Sequence, residues 1–96
     1  MPLFPAPPTQ GQSTLDFGSG SDAASLVVTG QSGISTASTI IPFMMADSTA
    51  DHNAYEHVMA PIHLVCGDVV DDVGFTIFAT SDVILTGTFI VRWQWQ

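Results

Sequence analysis

The sequence predicts a small all-β protein, either an antiparallel β-sandwich or an open barrel, with an extended N-terminal arm. The chain has 96 residues, enough for one domain. Short runs rich in Val, Ile, Phe and Thr recur at intervals of roughly ten to twenty residues, and glycine-containing turns separate them. The sequence shows no heptad pattern and no internal repeat. We therefore divide the chain into an arm over residues 1–22 and a β-sandwich domain over residues 23–96.

The predicted arm differs in composition from the rest of the chain, because it holds most of the prolines and many small polar residues. This composition favours polyproline II conformation and open turns over helices or ladders. Four large apolar residues interrupt it, namely Leu3, Phe4, Leu15 and Phe17. Such residues predict an arm that is loose when free and becomes ordered against a partner. A frayed terminus with incidental hydrophobic residues is the alternative.

Five strands are predicted, over residues 24–29, 38–46, 61–66, 74–80 and 86–95. Gly30 ends the first strand and Gly67 ends the third. Pro42 lies inside the second strand. Because proline cannot donate a hydrogen bond to a ladder, we expect this strand at a sheet edge or at a bulge. Only residues 48–58 have a pattern that could hold a helical turn.

The last predicted strand has the clearest alternation. One face carries Phe89, Val91, Trp93 and Trp95, and the other carries Ile90, Arg92 and Gln94. Trp93 and Trp95 could stack on a sugar or a base. Two aromatic residues on one face of a terminal strand more often belong to a core or to a subunit contact, which is the interpretation we adopt.

The charge balance restricts the partners. The chain has nine acidic residues, a single basic residue, Arg92, and no lysine. Nucleic acids and anionic membranes are disfavoured as partners, because both are bound through Lys and Arg. The sequence has neither a bilayer-spanning apolar run nor the features of a signal peptide. We expect a protein used in a cytoplasm, or in a particle assembled there, which is either a soluble acidic protein or one that docks on a basic surface of a larger assembly.

Size and hydrophobicity predict a homo-oligomer. A domain this small buries too little surface to be comfortably stable alone, and 46% of its residues are apolar. Chains of this size are usually stabilised by disulfides, metals or partner subunits. Cys66 is the only cysteine, so no disulfide can form within one chain. Partner subunits are the remaining expectation.

A polar loop holds most of the titratable residues between the second and third strands. Asp47, His52 and His57 are the candidate ligands for a metal ion, with His63 on the next strand. His52 and His57 are five residues apart, however, and therefore do not share a helix face as the two histidines of a zincin do. We favour a loop that holds itself together through its own hydrogen bonds, and we predict no cofactor.

Two other groupings have residues suited to chemistry but unsuitable spacing. Asp68, Asp71 and Asp72 do not follow the alternating pattern of an EF-hand, so a solvated turn is the simpler interpretation. Ser48 and His52 lie in one short loop, whereas the members of a catalytic triad normally come from separate elements. The sequence therefore predicts no catalytic site.

Several segments resemble short virion-associated structural proteins of tailed bacteriophages and prophages. They are VVTGQSGIS, IIPFMMADSTADHNAYEHVMAPIHLVCGDVV, GFTIFA and LTGTFIVRWQW, and they cover residues 27–95. ADSTADHNAYEH, GFTIFA and the final strand are the most specific of them. The resemblance implies a structural role in the particle, with Asp51, His52 and His57 as typical loop residues of the group.

The leading hypothesis is a capsid decoration or cement protein that binds the head surface as an oligomer, through the major capsid protein or another virion protein. A neck, tail or fibre protein is the first alternative. A carbohydrate-binding module that uses Tyr55 and the two tryptophans is the second. The expected partner-binding residues are Leu3, Phe4, Leu15, Phe17, Arg92, Trp93 and Trp95.

Overall fold

The computed structural model describes residues 8–96 as a small β-sandwich. Two three-stranded antiparallel sheets pack together, one with strand order β1-β6-β3 and the other β2-β5-β4. We call them sheet A and sheet B. The elements are β1 (Thr9–Asp16), β2 (Ser21–Val28), β3 (Ile40–Phe43), α1 (Ala54–Met59), β4 (Ile62–Val70), β5 (Gly74–Leu85) and β6 (Thr88–Trp95). The predicted all-β sandwich class is confirmed.

The core lies between the two central strands, β5 and β6. Alternate residues of each strand point inward, as the two-residue period of an extended chain requires. Sheet B contributes Phe75 and Ile77, and sheet A contributes Phe89 and Val91, all almost completely buried. Laterally, β1 packs against β2 and β3 packs against β4. The sandwich therefore has two different sides, a β1/β2 side and a β3/β4 side.

The structure corrects the predicted arm. Residues 9–16 form β1, which pairs with β6 along its whole length. Leu15 and Phe17 lie in the core of the same chain and are not available to a partner. The predicted boundary after residue 22 falls inside β2. Leu15 at the end of β1 and Phe17 directly after it point into the core, so their spacing does not indicate a docking site. Leu3 and Phe4 lie outside the described residues.

Pairing also adjusts the predicted elements. The second predicted strand shortens to β3, and Pro42 lies in that edge strand as expected. The helical turn is α1, which begins after the N-cap Asn53. The Asn53 side chain accepts from the Glu56 amide and the Glu56 side chain accepts from the Asn53 amide, which makes a complete capping box. Within residues 8–96, no helix is both long and apolar enough to cross a membrane.

The acidic turn between β4 and β5 contacts another loop. Asp72 Oδ1 accepts from the Gly33 amide at 3.0 Å, and Asp71 Oδ1 accepts from the Thr36 amide at 3.2 Å. The amide of Asp72 donates to the Ile34 carbonyl. These carboxylates therefore hold the β2–β3 loop in place, whereas the sequence predicted only a solvated turn.

The close approach of β1 to Trp93 yields a stability prediction. A Cβ atom on Gly11 would overlap the indole ring of Trp93. We expect Gly11→Ala to lower the free energy of unfolding by about 1–3 kcal/mol, the usual cost of overpacking. Gly67→Ala is the control, because its Cβ would lie at an ordinary 3.8 Å from the Phe78 ring. Urea denaturation of both variants measures the difference, and equal losses would contradict the predicted overlap.

Candidate functional site

The polar loop lies beside the part of β6 that β3 does not reach. β6 has eight residues and β3 only four, and β3 pairs with β6 from Arg92 to Trp95. The beginning of β6 therefore has no strand partner on that side, although its backbone groups still need hydrogen bonds. Residues 47–57 fill this position with side chains and loop backbone. We call this segment the edge cap.

Two side chains of the edge cap supply the hydrogen-bond partners of Thr88. Its amide and its hydroxyl both donate to Asp51 Oδ2, at 2.8 and 2.7 Å. Its carbonyl accepts from the Thr49 hydroxyl at 2.8 Å. The bonds from the hydroxyl and then from the amide of Thr88 lower the pKa of Asp51. Asp51 and Thr49 therefore take the place of the missing strand.

His57 performs the same task for Ile90. The Ile90 amide donates to His57 Nε2 at 2.9 Å, and His57 Nδ1 lies 3.0 Å from the Asn53 carbonyl. These two partners assign the ring proton to Nδ1, because Nε2 must accept and Nδ1 must donate. The side chain belongs to the core, with 2% of its surface exposed. His57 is therefore a buried structural histidine with both nitrogens in use.

His52, in contrast, faces two acceptors. Nδ1 lies 2.9 Å from Glu56 Oε2, and Nε2 contacts the Thr86 carbonyl. Both nitrogens must donate, so this geometry favours the charged imidazolium. The bond to Glu56 and then the bond to Thr86 raise the pKa of His52, and the same ion pair lowers the pKa of Glu56. The ring also stacks on Phe89 at 4.0 Å between centroids, a favourable position for a cation.

Arg92 completes the edge cap by pairing with Asp47. Its Nε donates to Asp47 Oδ2 at 2.9 Å and its Nη2 donates to Oδ1 at 2.7 Å. This bidentate pair lowers the pKa of Asp47. The chain's only basic side chain is thus paired within its own chain, and its expected role in partner binding stays a prediction.

The metal candidates do not converge. Asp47 binds Arg92, His52 binds Glu56 and Thr86, and His57 binds Ile90 and Asn53. In the part of the chain that the structure describes, no group of three or more His, Cys, Asp or Glu side chains could hold a metal ion. His63 lies elsewhere, on β4, at 3.1 Å from Asp82. The hydrogen bonds that these side chains make within the chain account for their positions in the edge cap.

The tryptophans lie inside the sandwich. Trp93 is 5% exposed and Trp95 is 9% exposed. Their ring nitrogens donate to Ser13 Oγ and to Gln31 Oε1, at 3.1 and 2.9 Å. Neither ring presents a face on which a sugar could stack, so both residues belong to the core rather than to the expected binding surface. Cys66 is also partly buried, and this burial raises the pKa of its thiol to about 11.

One exposed apolar surface lies on the outer face of sheet B. Val27, Val65 and Phe78 point outward from its three strands and are 69%, 65% and 42% exposed. The register places Phe78 opposite Val65 of β4 and Ser25 of β2, in one row. We call this surface the apolar face. Its other residues are Ala23, Ser25, His63, Gly67, Thr76 and Thr80.

The apolar face contains no acidic residue. The His63–Asp82 pair bounds it at one end, and the bulge after Gly67 bounds it at the other. Alternation within the predicted strands could have located this face, because residues two apart share a side. The sequence alone did not show which side faced solvent. A second exposed apolar group, Tyr55, Val58 and Met59, lies on α1.

Removing His57 tests the edge cap. We expect His57→Ala to lower the free energy of unfolding by about 2–4 kcal/mol, because it leaves the Ile90 amide without its acceptor and opens a cavity. Tyr55→Ala on the same helix is the control, since Tyr55 is exposed and should change stability by less than about 0.5 kcal/mol. Chemical denaturation measures both values. Comparable losses for the two variants would argue against the cap.

The His52 ion pair predicts a pH dependence. Because folding raises the pKa of His52 above its ordinary 6.5, its contribution to stability is complete below that pH and is lost as pH rises through the folded value. We expect the wild type to lose stability relative to His52→Gln as the pH rises above about 6.5. Denaturation at several pH values measures this, and parallel wild-type and His52→Gln profiles would refute it.

The comparisons with known proteins give no relative for this chain. No protein-family model matches it, and no curated protein sequence or solved structure does so either.

Proposed function

We propose that this chain is a structural accessory protein of a tailed-bacteriophage virion, which decorates the head surface as an oligomer. The observation that carries the proposal is the apolar face, where Val27, Val65 and Phe78 are exposed together with no acidic residue among them. An exposed apolar surface on so small a domain is typical of a protein that works while attached to another. The resemblance of residues 27–95 to virion-associated proteins supplies the class of particle.

The charge distribution supports a protein partner with a basic rim. The chain has a net charge of −8. Asp22, Asp68 and Asp82 adjoin residues of the apolar face, and no acidic residue lies within it. A surface of the major capsid protein that is apolar at its centre and basic at its margin would complement both features.

The edge cap has a structural role in this proposal. Asp51 and His57 bind the backbone of β6, and His52 binds Glu56 and the Thr86 carbonyl. These are the residues that could otherwise suggest acid–base chemistry. Their side chains instead fix the open edge of sheet A, so the proposal assigns no reaction to them.

Copy number tests the proposed location. We expect quantitative mass spectrometry of purified virions to find hundreds of copies, in proportion to the major capsid protein, because a decoration protein repeats with the head lattice. Three to about a dozen copies would place the chain in the neck or tail, where symmetry axes repeat few times. Absence from the particle would overturn the proposal.

The docking surface is tested by adding the purified chain to particles that lack it. We expect Val65→Lys to weaken binding at least tenfold, because it places a charge in the apolar face. Tyr55→Lys is the matched control, since it adds the same charge at an exposed apolar residue of α1. Cosedimentation with particles measures both affinities. Loss of binding by Tyr55→Lys alone would move the docking surface to α1.

A further inference from the structure

The two sides of the sandwich differ in how their strand edges are protected. On the β3/β4 side, β3 is short and contains Pro42, and the edge cap covers the rest of β6. A bulge after Gly67 interrupts β4, and Asp68 there has a positive φ of 49°. Short length, proline and bulges are the features that prevent strands from pairing with other chains.

Within residues 8–96, this protection is weaker on the β1/β2 side, where the register irregularity lies at the beginning of β2, between Ser21 and Ala23. β1 pairs regularly with β6 over all eight of its residues, and it contains no proline. β2 pairs regularly with β5 over residues 23–28, where no residue is charged. β1 packs against β2, so the two edges, which no other described strand covers, belong to one continuous surface. A long, regular, uncharged edge is a site for strand addition.

We propose that this side is the interface with a second copy of the chain, and that the two β2 strands pair antiparallel across a two-fold axis at Ser25. This register places Val27 of one copy beside Ala23 of its partner on the outer face. It also places Leu26 beside Ala24 between the sheets. Large residues thus meet small ones on both faces of the joined sheet, and each of these pairs occurs twice because the contact is isologous.

Charge favours the antiparallel arrangement. In residues 23–28 no acid lies at the contact, and the nearest, Asp22, is opposite Val28 of the other copy. The two Asp22 side chains are then about 20 Å apart along the strands, farther than the screening length of about 8 Å at physiological salt. A parallel pair in register would bring them together. The antiparallel dimer is therefore the form that a chain of net charge −8 can adopt with least repulsion.

The available area is adequate for a specific contact. Eight-residue strands span about 26 Å, and two sheets with their outward side chains are roughly 20 Å thick, which gives about 500 Å² of projected surface. Two such surfaces bury about 1,000 Å² in total, which lies within the range of weak specific interfaces, below about 1,200 Å². Dimerisation also joins two apolar faces into one, on a six-stranded sheet.

The oligomeric state of the full chain tests the proposal. We expect sedimentation equilibrium to find a dimer for the wild type and a monomer for Val27→Lys. Val65→Lys is the matched control, because Val65 is equally exposed on the opposite edge strand of the same sheet. Both variants add the same charge, so a difference between their oligomeric states cannot come from net charge. A monomeric wild type, or a dimer that Val65→Lys dissociates and Val27→Lys does not, overturns the proposal.

Cross-linking tests the register independently. In the proposed dimer the two Ser25 side chains face each other, about 5 Å apart at Cβ. Ser25→Cys should therefore give a covalent dimer with a short bifunctional thiol reagent, whereas Val65→Cys should not. Cys66 contributes little background because its high pKa keeps it protonated. Equal cross-linking of the two variants overturns the register. Particle binding is not part of either experiment, so failure here leaves the proposed function to its own test.

Discussion

The fold depends on supplying hydrogen bonds to a central strand whose neighbour is too short. β6 contributes Phe89, Val91, Trp93 and Trp95 to the core, so it cannot be shortened without loss of apolar burial. β3, however, pairs with only half of it. Buried amides and carbonyls without partners cost about 1–3 kcal/mol each, and a small domain has little stability to offset such a loss. The edge cap meets this requirement with Thr49, Asp51 and His57.

This requirement also explains the contrast between two histidines in one loop. His57 must accept from an amide, which fixes a neutral ring in the core. His52 faces only acceptors and stacks on Phe89, which favours the charged ring. Although the two histidines are close in sequence, their different hydrogen-bond partners give the two rings different roles. A pattern of acids and histidines in a loop thus describes a capping device as readily as a metal site.

The sequence predicted the features that arise from local patterns. Alternation identified the inward face of β6, and Pro42 identified an edge strand, because both depend on residues within one strand. β1 was missed, since TQGQST has little intrinsic strand preference and gains its conformation from pairing with β6. The edge cap was missed in detail because His57 and Asp51 bind backbone groups 33 and 37 residues away. Such pairings follow from the tertiary arrangement.

The edge cap also bears on how copies of the chain can associate. A sandwich with bare edges on both sides could add copies indefinitely and form a fibre, whereas a single bare side allows only one two-fold contact. The edge cap closes the open part of sheet A, and the bulge after Gly67 interrupts β4, which favours the β1/β2 side for strand pairing. In the proposed dimer, assembly through that side would end at two copies. The same loop that satisfies β6 would therefore limit self-association, while leaving the apolar face of each copy open to a different partner.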